Sequence, residues 1–242
     1  MPEAARLFLA ACFLAMPWST AWAGDYADRT ILGFSPDGGT FAFEEFGVQD
    51  GSGFAYANIY MIDTGRDAWV GGTPIRVMHE SEEETLANVR EEARQRAMPW
   101  MTRYGVAPGG RTVVSNPSSE LSADPYSVRF LTDLYANMRD HAWTLSLTPV
   151  PLPEPIGCEN LGPVQGFRLV LTSPAGKART IHDDTALPAS RGCAQDYAIA
   201  DVVTDFPEGR DPVLVVLVHV ISQGFEGPDR RFLAVATGFQ DD

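Results

Sequence analysis

Residues 213–221 read VLVVLVHVI, a continuous apolar run broken only by His219. Alternating strands expose one face to water, whereas a run apolar at every step belongs to a strand buried on both faces. Turn signals bound it on both sides, PEGRD at 207–211 and GFEGPDRR at 224–231. The same punctuation recurs along the chain. The 18 prolines and 22 glycines separate short β-branched and aromatic runs, which favours strands over helices.

RTILGFS at 29–35 reads as a strand, and SPDGG at 35–39 as a turn. Pro36 presets φ there, and Gly38 and Gly39 accept positive φ. TFAFEEFGV then alternates, with Phe41, Phe43 and Glu45 on one face and Ala42, Glu44 and Phe46 on the other. DGSG at 50–53 forms a loop and YANIYMID at 56–63 returns as a strand, followed by a fourth candidate, TPIRVMH, at 73–79. In 124–149 helical and alternating spacings compete, and two strands are expected. GFRLVLTSPAGKARTIHDD reads as a hairpin around SPAGK, and DYAIADVVTDFPEGRDPVLVVLVHVIS as another around PEGRD. The proline-rich stretch at 149–157 is the candidate sub-domain boundary.

One helix is expected, at about 81–97. Ser81 with Glu84 three residues on makes a capping box, and Pro99 is expected to end the helix. Its apolar stripe, Leu86, Val89, Ala93 and Ala97, is narrow and fits a helix lying on the surface of something else. The fold class is therefore mainly β (α+β), with antiparallel sheets and one surface helix.

The first residues, MPEAARLFLAACFLAMPWSTAWA, combine a thin positive start, an apolar run over 7–17 and a small-x-small pattern at 21–23. This reads as a signal peptide cleaved between Ala23 and Gly24. The run is too short to anchor a chain across a bilayer comfortably, and no later stretch is long enough for a membrane helix. Residues 24–242 are expected to form a single β-rich secreted domain. The net charge of −14 repels nucleic acid and anionic lipid, and the 18 Lys and Arg form no run that could track a phosphate backbone. Cys158 and Cys193, 35 residues apart, form an even pair in an oxidising compartment and read as one disulfide. A redox pair would sit closer together in sequence.

No nucleophile elbow, Walker loop or zinc motif is present, and none of His79, His141, His182 and His219 has a partner at metal-ligand spacing. No cofactor or metal is therefore expected. DGSG lacks the alternating ligands of a calcium loop. IHDD at 181–184 sets His182 beside Asp183 and Asp184 at the end of a hairpin, a weak catalytic pair because neighbours in a strand point to opposite faces. Glu44 and Glu45 are the best enzymatic lead, with Asp63 or Glu226 as the partner that carboxylate chemistry requires. Their structural reading is charge on an otherwise aromatic strand, a guard against edge aggregation. GFEGPDRR offers a second candidate surface: Phe225 and Glu226 on a glycine turn, with Arg230 and Arg231 following.

Two resemblances bear on these stretches. FSPDGGTFAFEEFG followed by ANIYMID resembles one repeat of a TolB-type β-propeller, which implies propeller-like blades without a complete propeller. GFSPDGGTFAFEEFGVQDGSGFAYANIYMID, Cys158, RGC at 191–193 and GFEGPDRRFLAV together resemble a bacterial family of predicted secreted proteins of unknown function. That resemblance implies export from a Gram-negative cell. The expected function is a non-enzymatic binding or protein-interaction module of the cell envelope, with an envelope protein as partner. The alternative is a periplasmic hydrolase using carboxylates near Glu44 and Glu226.

Overall fold

The structure, a computed structural model, describes residues 24–132 and 141–239. The expected signal peptide lies outside the described residues. Thirteen strands among the described residues form three antiparallel sheets. The first, helix-side sheet holds β1 (Asp28–Phe34), β2 (Thr40–Val48), β3 (Ala55–Asp63), β4 (Ala68–Trp69) and β5 (Ile75–Met78), with both β4 and β5 paired to β3. The central sheet runs β13 (Pro228–Gly238), β12 (Val213–Gln223), β11 (Ala194–Asp205), β6 (Arg111–Ser115). The outer sheet runs β10 (Ala178–Asp183), β9 (Gln165–Thr172), β8 (Trp143–Pro151), β7 (Ser127–Phe130).

The apolar run falls on β12, and the layering explains it. Val213, Val215 and Leu217 pack with Phe34, Phe41, Phe43 and Ile62 of the helix-side sheet. Leu214, Val216, Val218 and Val220 pack with Trp143, Leu145, Phe167 and Leu169 of the outer sheet. The central sheet thus lies between two others, and each fully buried aliphatic side chain in it contributes about 1.5–3 kcal/mol. The sheets stack face to face and close into no barrel.

Helix α1 (Leu86–Tyr104) covers the remaining face of the first sheet. Val89, Ala93 and Ala97 are its buried side chains, and they meet Phe46, Ala57, Ile59 and Val77. The stripe is the one read from sequence, but the ends differ. Thr85 is the N-cap, its hydroxyl accepting from Asn88 N–H at 3.2 Å, while Ser81 closes a preceding turn. Pro99 lies within the helix on an exposed face instead of ending it. The stop is Gly105, with left-handed φ of 65° and its N–H on the carbonyls of Met101 and Thr102. A proline removes one helix bond, whereas the packing of Trp100, Met101 and Tyr104 against the sheet holds the last turn.

The two middle strands appear as β7 and β8, separated by residues outside the described set. β8 continues through Pro149 and Pro151 in register with β9. Cys158 and Cys193 are bonded, with Cα atoms 5.5 Å apart, and tie the loop after β8 to the start of β11. At Gly33 (φ 116°) β1 bulges, and an added Cβ would meet Ala107 O at 1.9 Å, so only glycine fits.

Candidate functional site

At the free edge of β13 the helix-side and outer sheets overhang the central sheet and enclose a cleft of about 400 Å³. Cross-strand register builds its first wall. Glu45, Asn58 and Arg76 are direct neighbours on β2, β3 and β5, so they form one polar row facing the central sheet. The next row sets Phe43 beside Tyr60, whose rings stack at 4.9 Å, and Trp69 lies 6.2 Å beyond Tyr60. An aromatic series thus leads from the core to Trp69 at the mouth, which is 46% exposed. The Arg76 guanidinium lies 5.6 Å from the Trp69 ring and makes no ion pair with any described carboxylate.

Glu45 is buried at the back of this wall. Its Oε1 accepts from Asn58 Nδ2 at 3.0 Å and from the Tyr60 hydroxyl at 3.4 Å, and its Oε2 from Phe232 N–H at 2.6 Å. Burial pushes its pKa above the ordinary carboxylate range, against the pull of those donors. Burial likewise raises the Tyr60 phenol, which stays a donor. Asp67, in left-handed conformation on the β3–β4 turn, accepts from Ala236 N–H at 2.7 Å and is also raised by burial.

The opposite wall comes from the outer sheet. A bulge in β10 and the alternation beyond it turn His182 and Asp184 to one side. Asp184 Oδ1 accepts from His182 Nε2 at 2.9 Å, and Oδ2 from Phe167 N–H at 2.9 Å and from Arg191. Burial pushes this carboxyl up, but the bonds from His182, Arg191 and Phe167 outweigh it and hold the pKa at about 2. The carboxylate only accepts, so His182 Nε2 carries the proton in that bond. Arg191 Nη2, 3.3 Å from the same nitrogen, therefore faces a donor and not an acceptor. The Arg191 guanidinium lies over the Phe167 ring at 4.9 Å.

The candidates read from sequence are distributed over separate places. Glu44 and Glu45 point to opposite faces, as alternation requires. Glu44 faces α1 and is wholly buried; Arg90 holds both its oxygens at 3.1 and 2.9 Å, and Arg94 adds a bond at 2.7 Å. Phe225 and Glu226 are exposed on the β12–β13 turn, where Glu226 N–H donates to Asp50 of the DGSG loop at 3.0 Å. Arg230 lies over Tyr26 at 4.7 Å. Arg231 pairs with Asp25, lies 4.8 Å over Tyr56 and reaches the cleft. Of the six, Glu45 and Arg231 line the cleft. Among the described residues no group of three or more His, Cys, Asp and Glu side chains is placed to hold a metal.

Trp69, Arg76, Asp67 and the His182–Asp184–Arg191 cluster were not singled out as a site by sequence. The available signal was in IHDD: residues two apart in a strand share a face, so His182 belongs with Asp184 and not with Asp183.

No helix among the described residues is long and apolar enough to cross a membrane. No curated protein and no solved structure matches the chain. A family model does match, over residues 42–237, and includes the cleft walls, the disulfide and β13 up to residue 237. The chain belongs to the family described as predicted secreted protein (DUF2259).

Proposed function

We propose that the protein is an exported, non-enzymatic binding module of the bacterial periplasm, released by cleavage after Ala23, and that the three-sheet cleft is its binding surface. The observation that carries this reading is the meeting of an exposed aromatic, Trp69, with a guanidinium, Arg76, that has no carboxylate partner among the described residues, at the mouth of a walled cleft. Apolar platforms beside a few fixed polar groups are the usual make-up of ligand sites.

The second reading is a hydrolase using carboxylates. It is favoured by Glu45 and Asp67, both raised in pKa within one cleft. Their separation counts against it. They bind N–H groups four residues apart on β13, which at about 3.4 Å per residue is roughly 14 Å. Paired glycosidase carboxylates lie about 5–9.5 Å apart.

The test is capture from periplasmic extract by the mature, disulfide-intact protein, with a folded Trp69→Ala/Arg76→Gln double variant as control. A ligand retained by wild type and released by the variant supports the reading. Equal retention by both would remove the cleft from the function.

A further inference from the structure

The central sheet ends in an incomplete edge. Phe239 N–H donates to Pro212 O and Gly224 N–H to Gly227 O, which fixes the phase of the β12–β13 ladder. Residues 229, 231, 233, 235 and 237 direct their main-chain groups toward β12, so 230, 232, 234 and 236 direct theirs outward. Three of the outward N–H groups have acceptors. Arg230 N–H donates to Asp25 O, Phe232 N–H to Glu45 and Ala236 N–H to Asp67. Ala234 N–H, between two of these, has no partner among the described residues, and neither have the carbonyls of Phe232 and Ala234. These groups line the floor of the cleft.

One donor flanked by two acceptors on a free edge is the pattern that an added strand completes. A strand laid there continues the central sheet between the other two, with side chains alternating toward Trp69 and Arg76 and toward His182 and Arg191. Glu45 and Asp67 occupy the flanking positions and limit the open window to about three residues of extended chain.

Resting on the binding reading above, we propose that the cleft takes a short extended peptide segment, which pairs with β13 through Ala234 and presents an acidic side chain to Arg76. Charge selects the acidic side chain, because Arg76 is a guanidinium with no ion-pair partner among the described residues. Main-chain pairing selects a peptide over a sugar or a small acid.

The experiment uses the full mature protein, immobilised with its disulfide intact. The probe is a degenerate pentapeptide library, acetylated and amidated, with Asp at the centre and mixed residues elsewhere. A matching library carries Asn. Ala234→Pro removes the outward N–H and leaves the β12–β13 ladder whole, since proline is tolerated on edge strands. Arg76→Gln removes the charge from an exposed site. The proposal expects retention of the Asp library by wild type, with binding at least about tenfold weaker for each variant and for the Asn library. It also expects slowed hydrogen exchange at Ala234 N–H in the complex. Undiminished binding by Ala234→Pro would overturn main-chain pairing, and equal binding of the Asn library would overturn the acidic preference. Retention of an extract ligand without any of the peptides would overturn the peptide proposal and leave the cleft reading intact. Failure of both experiments would remove both.

Discussion

Asp184 gives the sharpest quantitative expectation. Its side chain is nearly enclosed and accepts from His182, Arg191 and the Phe167 N–H. Its pKa is lowered from an ordinary 3.8 to about 2. A lowered carboxylate pKa stabilises the folded state above the unfolded value, and the contribution disappears as pH falls through the folded value. At 1.36 kcal/mol per pKa unit the full shift corresponds to roughly 2.4 kcal/mol, and solvent screening at the cleft wall reduces it to about 1–2 kcal/mol. Asp184→Asn removes this contribution and leaves Arg191 without its carboxylate. At pH 6 the variant should unfold about 2–3 kcal/mol more easily, the range for charge-assisted hydrogen bonds. At pH 2.5 the difference should shrink by about 1 kcal/mol, because most of the linkage has been lost from the wild type as well. Urea unfolding of both proteins at the two pH values, with the disulfide intact, measures it. A difference that stays constant or grows on acidification would refute the assignment of the low pKa to this cluster.

Glu44→Gln strips the carboxylate from between Arg90 and Arg94. The loss expected for breaking a buried pair, about 3–5 kcal/mol, should fall to about 2–3 because both arginines can turn toward water; chemical denaturation would show it, and a loss below 0.5 would contradict the packing described. His219 is buried; burial, with Arg230 and Arg29 nearby, outweighs Asp201 and the Asn116 backbone and lowers its pKa to about 4. The unfolded state therefore binds the proton first, and stability falls as pH drops from about 6.5 toward 4. His219→Leu should flatten that part of the stability profile, and an unchanged slope would show that His219 is not its source. Replacing Cys158 and Cys193 with Ala should cost roughly 3–4 kcal/mol for a loop of this length, read from thermal or urea unfolding. A loss under 1 kcal/mol would mean that the unfolded chain is already constrained near this loop.

The sequence by itself determined most of the secondary structure. Turn chemistry at SPDGG, SPAGK and PEGRD placed three hairpins, because proline and glycine set backbone angles locally. The apolar run placed β12 in a strand buried on both faces, and the pair Cys158 and Cys193 defined the disulfide. β4 and β6 were not read, being short strands without alternation of their own. The helix shifted by several residues because two competing caps, Ser81 and Thr85, are locally similar and only packing chooses between them. Alternation in TFAFEEFGV separated Glu44 from Glu45, but not their roles. Those depended on which layer covered each face: arginines from a helix over 40 residues away in one case, and the edge of a strand nearly 190 residues away in the other. The cleft was a product of the tertiary structure alone. Asn58 and Arg76 join Glu45 through strand register, and Arg191 reaches the same space only when the outer sheet packs on the central one. Local sequence encodes backbone angles and the face a residue takes; which faces meet is decided by the packing of whole sheets.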